Sequence, residues 1–323
     1  MNERHSTPIP VILDVDTGVD DALALTLAAR HPALDLRAVT CTAGNVSLDH
    51  VVRNTLGVLA LAGASGVPVA GGMDRPLLEP ARNASYVHGE NGIADLRLPA
   101  HELTPEPVHA VELLRRTLLD APGPVTIIAL APLTNIAVLL RMYPEVVRKI
   151  ARITLMGGAI GQGNATAAAE FNVWHDPEAA QIVFDAPVPV TMYGLEPFYE
   201  VTCDHADAAR LSDSPEPLNQ FIGGLLTHLA GTTATTDRAT PGTVALGDAG
   251  AVCAVLDPAG AQVRPAPVSV CLAPGVTRGQ TVVDLRGFAG TDDAAARDAR
   301  PRIDVVTNAD GARYRELFLS VLP

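Results

Sequence analysis

Apolar and polar positions alternate along this chain with two periods. Residues 10–15, PVILDV, are almost continuously apolar, and 20–31, DDALALTLAARH, follow with helical spacing. The same pair recurs as LDLRAVTCTAG (34–44) and SLDHVVRNTLGVLALAG (47–63), then as PVTIIAL (124–130) and LTNIAVLLRMY (133–143). ARITLMGG (151–158) precedes the helical DPEAAQIVFDA (176–186), and VPVTMYGL (188–195) adds a further strand. VPVAGG (67–72) is a short strand and AVELLRRTLLDA (110–121) a helix. Strands apolar on both faces, each followed by a helix, predict an α/β fold. The sheet is open, doubly wound, Rossmann-like and mainly parallel. After residue 260, PVSVCLA, QTVVDL and RIDVVTN are closely spaced and predict a few antiparallel edge strands before a closing helix at 309–322. HLAGTTATTDRATPGT (228–243) is small, polar and threonine-rich, and predicts a mobile loop. No Pro/Gly/Ser linker divides the chain, so residues 1–323 are expected to form a single domain.

Composition narrows the class. A net charge of −13 argues against a nucleic-acid or anionic membrane surface. No run of about 18 apolar residues and no apolar leader occur, which predicts a soluble cytoplasmic protein. The four cysteines lie far apart and read as reduced thiols.

The polar exceptions fall at strand ends. DVDTGVDDA (14–22) places Asp14, Asp16, Asp20 and Asp21 around one strand-to-helix turn. One or two acids at a helix start are explained by the helix dipole. That leaves Asp14 and Asp16 on the strand side unexplained. Four crowded carboxylates repel unless a cation joins them, and a hard divalent ion with several oxygen ligands suits the set. Gly44–Asn45, Leu130 and Gly157–Gly158 end other strands, where ligands of open α/β sheets bind. There is no GxGxxG after a strand, no Walker A lysine, no HExxH and no GxSxG.

DVDTGVDDA resembles the DxDPGxDDA signature of the inosine-uridine preferring nucleoside hydrolase family, with Thr17 in place of the proline. GN at 44, HGENG at 88, APLTNIA at 131, MGG at 156, GNATAAAEFN at 163, DPEAA at 176 and GVTRGQTVVD at 275 match in order. The resemblance implies calcium-dependent hydrolysis of the N-glycosidic bond of ribonucleosides, and a homodimer or homotetramer. It implies one Ca2+ held by Asp16, Asp21, Asp248 and the Leu130 carbonyl, with Asp14 bracing the loop. Asp16 would take the proton of the attacking water. Asp20 and Asn45 would hold the ribose 2′-hydroxyl, and Asn164, Glu170, Asn172 and Asp248 the 3′- and 5′-hydroxyls. His88 is a further substrate-contact candidate. Trp174 and His175 are expected to pack.

Two segments depart from the family pattern. Gly247 stands where the best-known members carry the histidine that protonates the leaving base and others a base-stacking tryptophan. GLEPFYEVT (194–202) is longer than the usual GLDxT. His228 is a candidate substitute acid, and a histidine at 247 is expected to raise turnover. The competing readings are a non-catalytic ribose or nucleoside binder and a hydrolase of a related ribosyl substrate.

Overall fold

The computed structural model describes residues 7–233, 242–287 and 300–322. Eleven strands are described: β1 (Ile9–Val15), β2 (Leu34–Cys41), β3 (Val69–Gly71), β4 (Val125–Ala129), β5 (Ile150–Met156), β6 (Val190–Tyr193), β7 (Thr202–Asp204), β8 (Thr243–Ala245), β9 (Ala261–Val270), β10 (Thr281–Val283) and β11 (Arg302–Ala309). Nine form one sheet in the order β10-β9-β11-β6-β5-β4-β1-β2-β3, and β7 and β8 pair separately and antiparallel.

β1 shows why this sheet is covered on both faces. Val11, Leu13 and Val15 join one buried cluster, and Ile12 joins the other. The first cluster takes in the helices Val19–Arg30, Leu48–Leu61, Asp248–Leu256 and Gly311–Leu319. The second takes in Ala110–Asp120, Thr134–Met142 and Pro177–Phe184. Successive strand side chains point to opposite faces, so burial on both requires an unbroken apolar run. The helix Val19–Arg30 is buried from Val19 through Leu25 except at Asp20, the residue that reaches the cavity described below.

β1 pairs in parallel with β2 on one side and β4 on the other. The chain runs outward from β1 to β3 and then returns to β4, so the strand order reverses at β1. The carboxyl ends of β1 and β4, carrying Asp14, Asp16 and Leu130, flank that switch point, where a crevice opens in such sheets.

Two expectations are revised. Segment 228–243 is not one loop: the helix Pro217–Thr233 runs through its first third and β8 begins at Thr243, while 234–241 lie outside the described residues. β11 is not an edge strand: it runs parallel to β6 and antiparallel to β9, so the antiparallel pairings of this margin are those β9 makes with β11 and with β10. The short helices Leu195–Glu200 and His205–Ser212 were not anticipated. No described helix is long and apolar enough to cross a membrane.

Candidate active site

The turn after β1 is organised by its own backbone. Asp21, in the first turn of the helix Val19–Arg30, accepts hydrogen bonds from the N–H groups of Asp16 (3.2 Å) and Gly18 (2.9 Å) and from Asn45 Nδ2 (3.0 Å). It therefore caps the helix start. Asp16 is held from β2: its Oδ2 accepts the Asn45 N–H at 2.7 Å. Gly44 permits that approach, since a Cβ there would stand 2.0 Å from Asp16 Oδ2. Asp14 braces the base of the turn, accepting from Thr40 Oγ1 (2.6 Å) and Asn135 Nδ2 (2.8 Å). Asn135 also donates to the Cys41 carbonyl (3.0 Å) and so ties three elements together. Its role was not foreseen, although APLTNIA carried the signal.

The acids gather where a cation would sit. Asp20, Asp21 and Asp248 each offer a carboxylate oxygen, and these lie within 4.8 Å of one another. This tight group contains Asp20 where the resemblance implied Asp16. Asp16 adjoins it through Asp21, and its Oδ1 is buried with no hydrogen-bond partner, as is Asp20 Oδ1. The Leu130 carbonyl receives Asn172 Nδ2 at 2.8 Å. Among the described residues no lysine or arginine is ion-paired to any of these four acids. Burial, reinforced by the neighbouring acids, pushes the Asp16 and Asp248 carboxyls well above the usual range and Asp21 up to about 7. Buried like charges behave this way in the absence of a counter-ion.

A cavity of about 490 Å³ opens over this group. Asp20, Asn45, His88, Leu130, Asn164, Glu170, Asn172 and Asp248 all line it. Glu170 starts the helix Phe171–His175 and accepts the N–H groups of Asn172 (2.8 Å), Gly158 (2.9 Å) and Val173 (3.0 Å). Burial nevertheless raises its carboxyl to about 7. Asn172 spends its amide N–H on the carbonyls of Leu130 and Met156 (3.1 Å). Asn164 Oδ1 accepts the Phe171 N–H (2.9 Å), leaving the amide nitrogen as donor. His88 Nδ1 accepts the Val19 N–H (3.1 Å), which leaves the proton of the neutral ring on Nε2. Burial lowers the pKa of this histidine.

The same cavity is also lined by apolar and aromatic side chains. Phe198 and Tyr199 come from the lengthened segment 194–202, joined by Val87, Leu229 and Ala245. None of these was singled out from sequence, although the added length of GLEPFYEVT was visible. His228 does not line the cavity; its Nε2 lies 2.7 Å from the Val87 carbonyl. Trp174 and His175 pack as expected, Trp174 under the Arg82 guanidinium and His175 buried against Phe171.

The expected gain from a histidine at 247 does not survive the geometry. Gly247 has φ +55°, a conformation that L side chains rarely adopt, and a Cβ there would meet Asp20 Oδ2 at 2.5 Å and Phe198 Cε2 at 3.0 Å. The glycine is required by the backbone and by the ring beside it.

The sequence profile described as inosine-uridine preferring nucleoside hydrolase matches residues 11–316. A pyrimidine-specific ribonucleoside hydrolase, RihA, of Citrobacter koseri is 45% identical over 218 residues, covering 68% of this chain and 70% of the relative. A plant nucleoside hydrolase superposes with a TM-score of 0.88 at 28% identity, covering 98% of this chain and 99% of the other. A purine-preferring ribonucleoside hydrolase from Gardnerella vaginalis superposes at 0.87 with 29% identity over 97% of each chain.

Proposed function

We propose, since this chain belongs to the inosine-uridine preferring nucleoside hydrolase family and is a hydrolase acting on N-glycosyl compounds, that it cleaves ribonucleosides to free base and ribose with the help of one calcium ion. The observation that carries the reading is the unpartnered Asp16 Oδ1 beside the Asp20–Asp21–Asp248 group, next to a cavity of about 490 Å³ that Asp20, Asp248 and aromatic rings line together.

The residues fit a hard dication. The donors are oxygens, they are buried, and no cationic side chain among the described residues neutralises them. Asp16, Asp21, Asp248 and the Leu130 carbonyl would hold the ion, with Asp20 adjoining. Calcium suits such a set better than magnesium, which keeps more of its own waters. When bound, the ion supplies Lewis acidity toward water and hydroxyl oxygens.

The chain's own groups account for the remaining chemistry. Loss of the base leaves positive charge on C1′ and the ring oxygen. Asp20, Glu170 and Asp248 place negative charge along the same cavity, where a water-poor site makes it effective. Asp16 Oδ1 accepts the proton of the water that adds to C1′ as the N-glycosidic bond breaks. Asp20 and Asn45 bond the 2′-hydroxyl; Asn164, Glu170, Asn172 and Asp248 bond the 3′- and 5′-hydroxyls. His88 offers its Nε2 proton to the substrate. By the same family resemblance the enzyme is a cytoplasmic homodimer or homotetramer.

A panel of ribonucleosides with free ribose as readout tests the reading, with nitrophenyl riboside as reference. Release of ribose from at least one nucleoside is expected. Cleavage of nitrophenyl riboside alone would assign the enzyme to related ribosyl substrates whose leaving group needs no proton. Calcium binding without cleavage of any substrate would make it a binder.

A further inference from the structure

We infer that Phe198 and Tyr199 form the wall against which the nucleobase lies, so that the helix Leu195–Glu200 does what no side chain at position 247 can do. This rests on the hydrolase reading above. The cavity lining is of two kinds, carboxylates and amides on the one hand and apolar side chains, Phe198, Tyr199, Phe171 and Leu229 among them, on the other. A ribonucleoside is divided the same way, with hydroxyls on its sugar and a flat ring attached at C1′. The Phe198 ring lies where the two kinds meet. Its Cε2 lies 3.0 Å from where a Cβ on Gly247 would stand, and Asp20 Oδ2 lies 2.5 Å from that same point. A ring placed there flanks a base whose sugar is seated on Asp20 and Asp248.

The helix is anchored so that its aromatic side faces the cavity. Glu196 accepts the N–H groups of Ile160 and Gly161, and Glu200 accepts the Ala309 N–H (2.6 Å) and Asn308 Nδ2 (2.5 Å). Tyr193 Oη donates to the Pro197 carbonyl at 3.0 Å. These bonds fix both ends and the middle of a single short helix. Phe198 and Tyr199 meet edge to face, with centroids 5.0 Å apart and planes at 68°, which holds each ring against rotation. Both rings remain only half-buried. A rigid, partly bare aromatic surface beside a polar sugar site is what a base requires. Stacking reads the π-face that every base has, so purines and pyrimidines should depend on it alike.

The test uses the calcium-loaded full chain and its Phe198→Ala, Phe198→Leu and Phe198→Trp variants. Kinetics are measured with uridine and inosine, and calorimetric binding with uridine and with methyl β-D-ribofuranoside, which carries the sugar without a base. Phe198→Ala is expected to lower kcat/KM for both nucleosides about tenfold or more, chiefly through KM, and affinity for the methyl riboside should stay within about twofold. Phe198→Leu, which keeps apolar bulk and so guards against misfolding, should show the same split, and Phe198→Trp, which keeps a π-face, should lose less than Phe198→Leu. The proposal is overturned if the alanine or leucine variant leaves nucleoside kinetics within about twofold of wild type, or if both ligands weaken together. Should the wild type cleave no nucleoside, the hydrolase reading fails, and calorimetry still decides the wall. Extra affinity of uridine over methyl riboside that vanishes in Phe198→Leu supports it, and its absence in the wild type overturns it.

Discussion

At the scale of single residues the two oxygens of Asp16 have separate duties. Oδ2 is committed to the Asn45 N–H, while Oδ1 is buried and unpartnered. Asp16→Asn can preserve the first contact through its amide oxygen but cannot accept a proton. Its kcat should fall about 10²–10⁴-fold, the usual contribution of a placed general base, which steady-state kinetics on uridine will show. Gly44→Ala makes the complementary point without touching a functional group. Its Cβ would stand 2.0 Å from Asp16 Oδ2 and 2.9 Å from Pro132 Cδ, so Asp16 must move. A loss of at least about 100-fold in kcat is expected, with thermal melting to establish that the chain still folds. Asp20 and Asn45 lead to a third outcome. Uridine should be preferred over 2′-deoxyuridine by about 10–100-fold in kcat/KM, because a missing hydroxyl leaves buried polar groups unpaired at a cost of about 1–3 kcal/mol. Equal turnover of the two would remove these residues from the ribose site.

At the scale of elements, the strand-to-helix turns were readable where local pattern and burial agree. β1 and β4 are buried on both faces and so appear as unbroken apolar runs, with their acids and Leu130 carbonyl displaced to the ends. The helix Leu195–Glu200 was not readable. Its Glu196 and Glu200 bond partners about 35 and 109 residues away, and such contacts leave no local period. The last turns of the helix Pro217–Thr233, HLAGTT, were read as loop because they contain glycine and threonine, poor helix formers. The carboxylates and amides around the cavity were nameable because they fall in short motifs; Phe198 and Tyr199 were not, because they come from a lengthened connection. Gly247 belongs to the same lesson. In sequence it is a missing side chain, while in the fold it is a left-handed turn pressed against Phe198. Gly247→His should therefore lower nucleoside kcat/KM and melting temperature together; a gain in turnover would mean that the turn yields without strain.

At the scale of the whole molecule the acidic centre sets the dependence of stability on pH. Burial raises Asp14, Asp21 and Glu170 to about 7, and burial with neighbouring acids holds Asp16 and Asp248 well above the usual carboxylate range. Folded pKa values above the unfolded ones, about 4 for Asp and Glu, mean that the metal-free fold binds more protons than the unfolded chain. Its stability is complete below about pH 4 as far as these groups are concerned, and is lost as pH rises through 7. Chelated protein should melt at a higher temperature at pH 5.5 than at pH 8, and calcium should raise the pH 8 value most by neutralising the same carboxylates. A chelated melting temperature that climbs from pH 5.5 to 8 would contradict the burial of uncompensated acids. The central claim, metal-assisted ribonucleoside hydrolysis at the Asp16–Asp21–Asp248 centre, is tested most directly by free ribose released from uridine and inosine as calcium is titrated into chelated enzyme. The account predicts negligible release before addition and full activity at one calcium per chain. Undiminished release in excess chelator, or no release from either nucleoside at any calcium concentration, would contradict it.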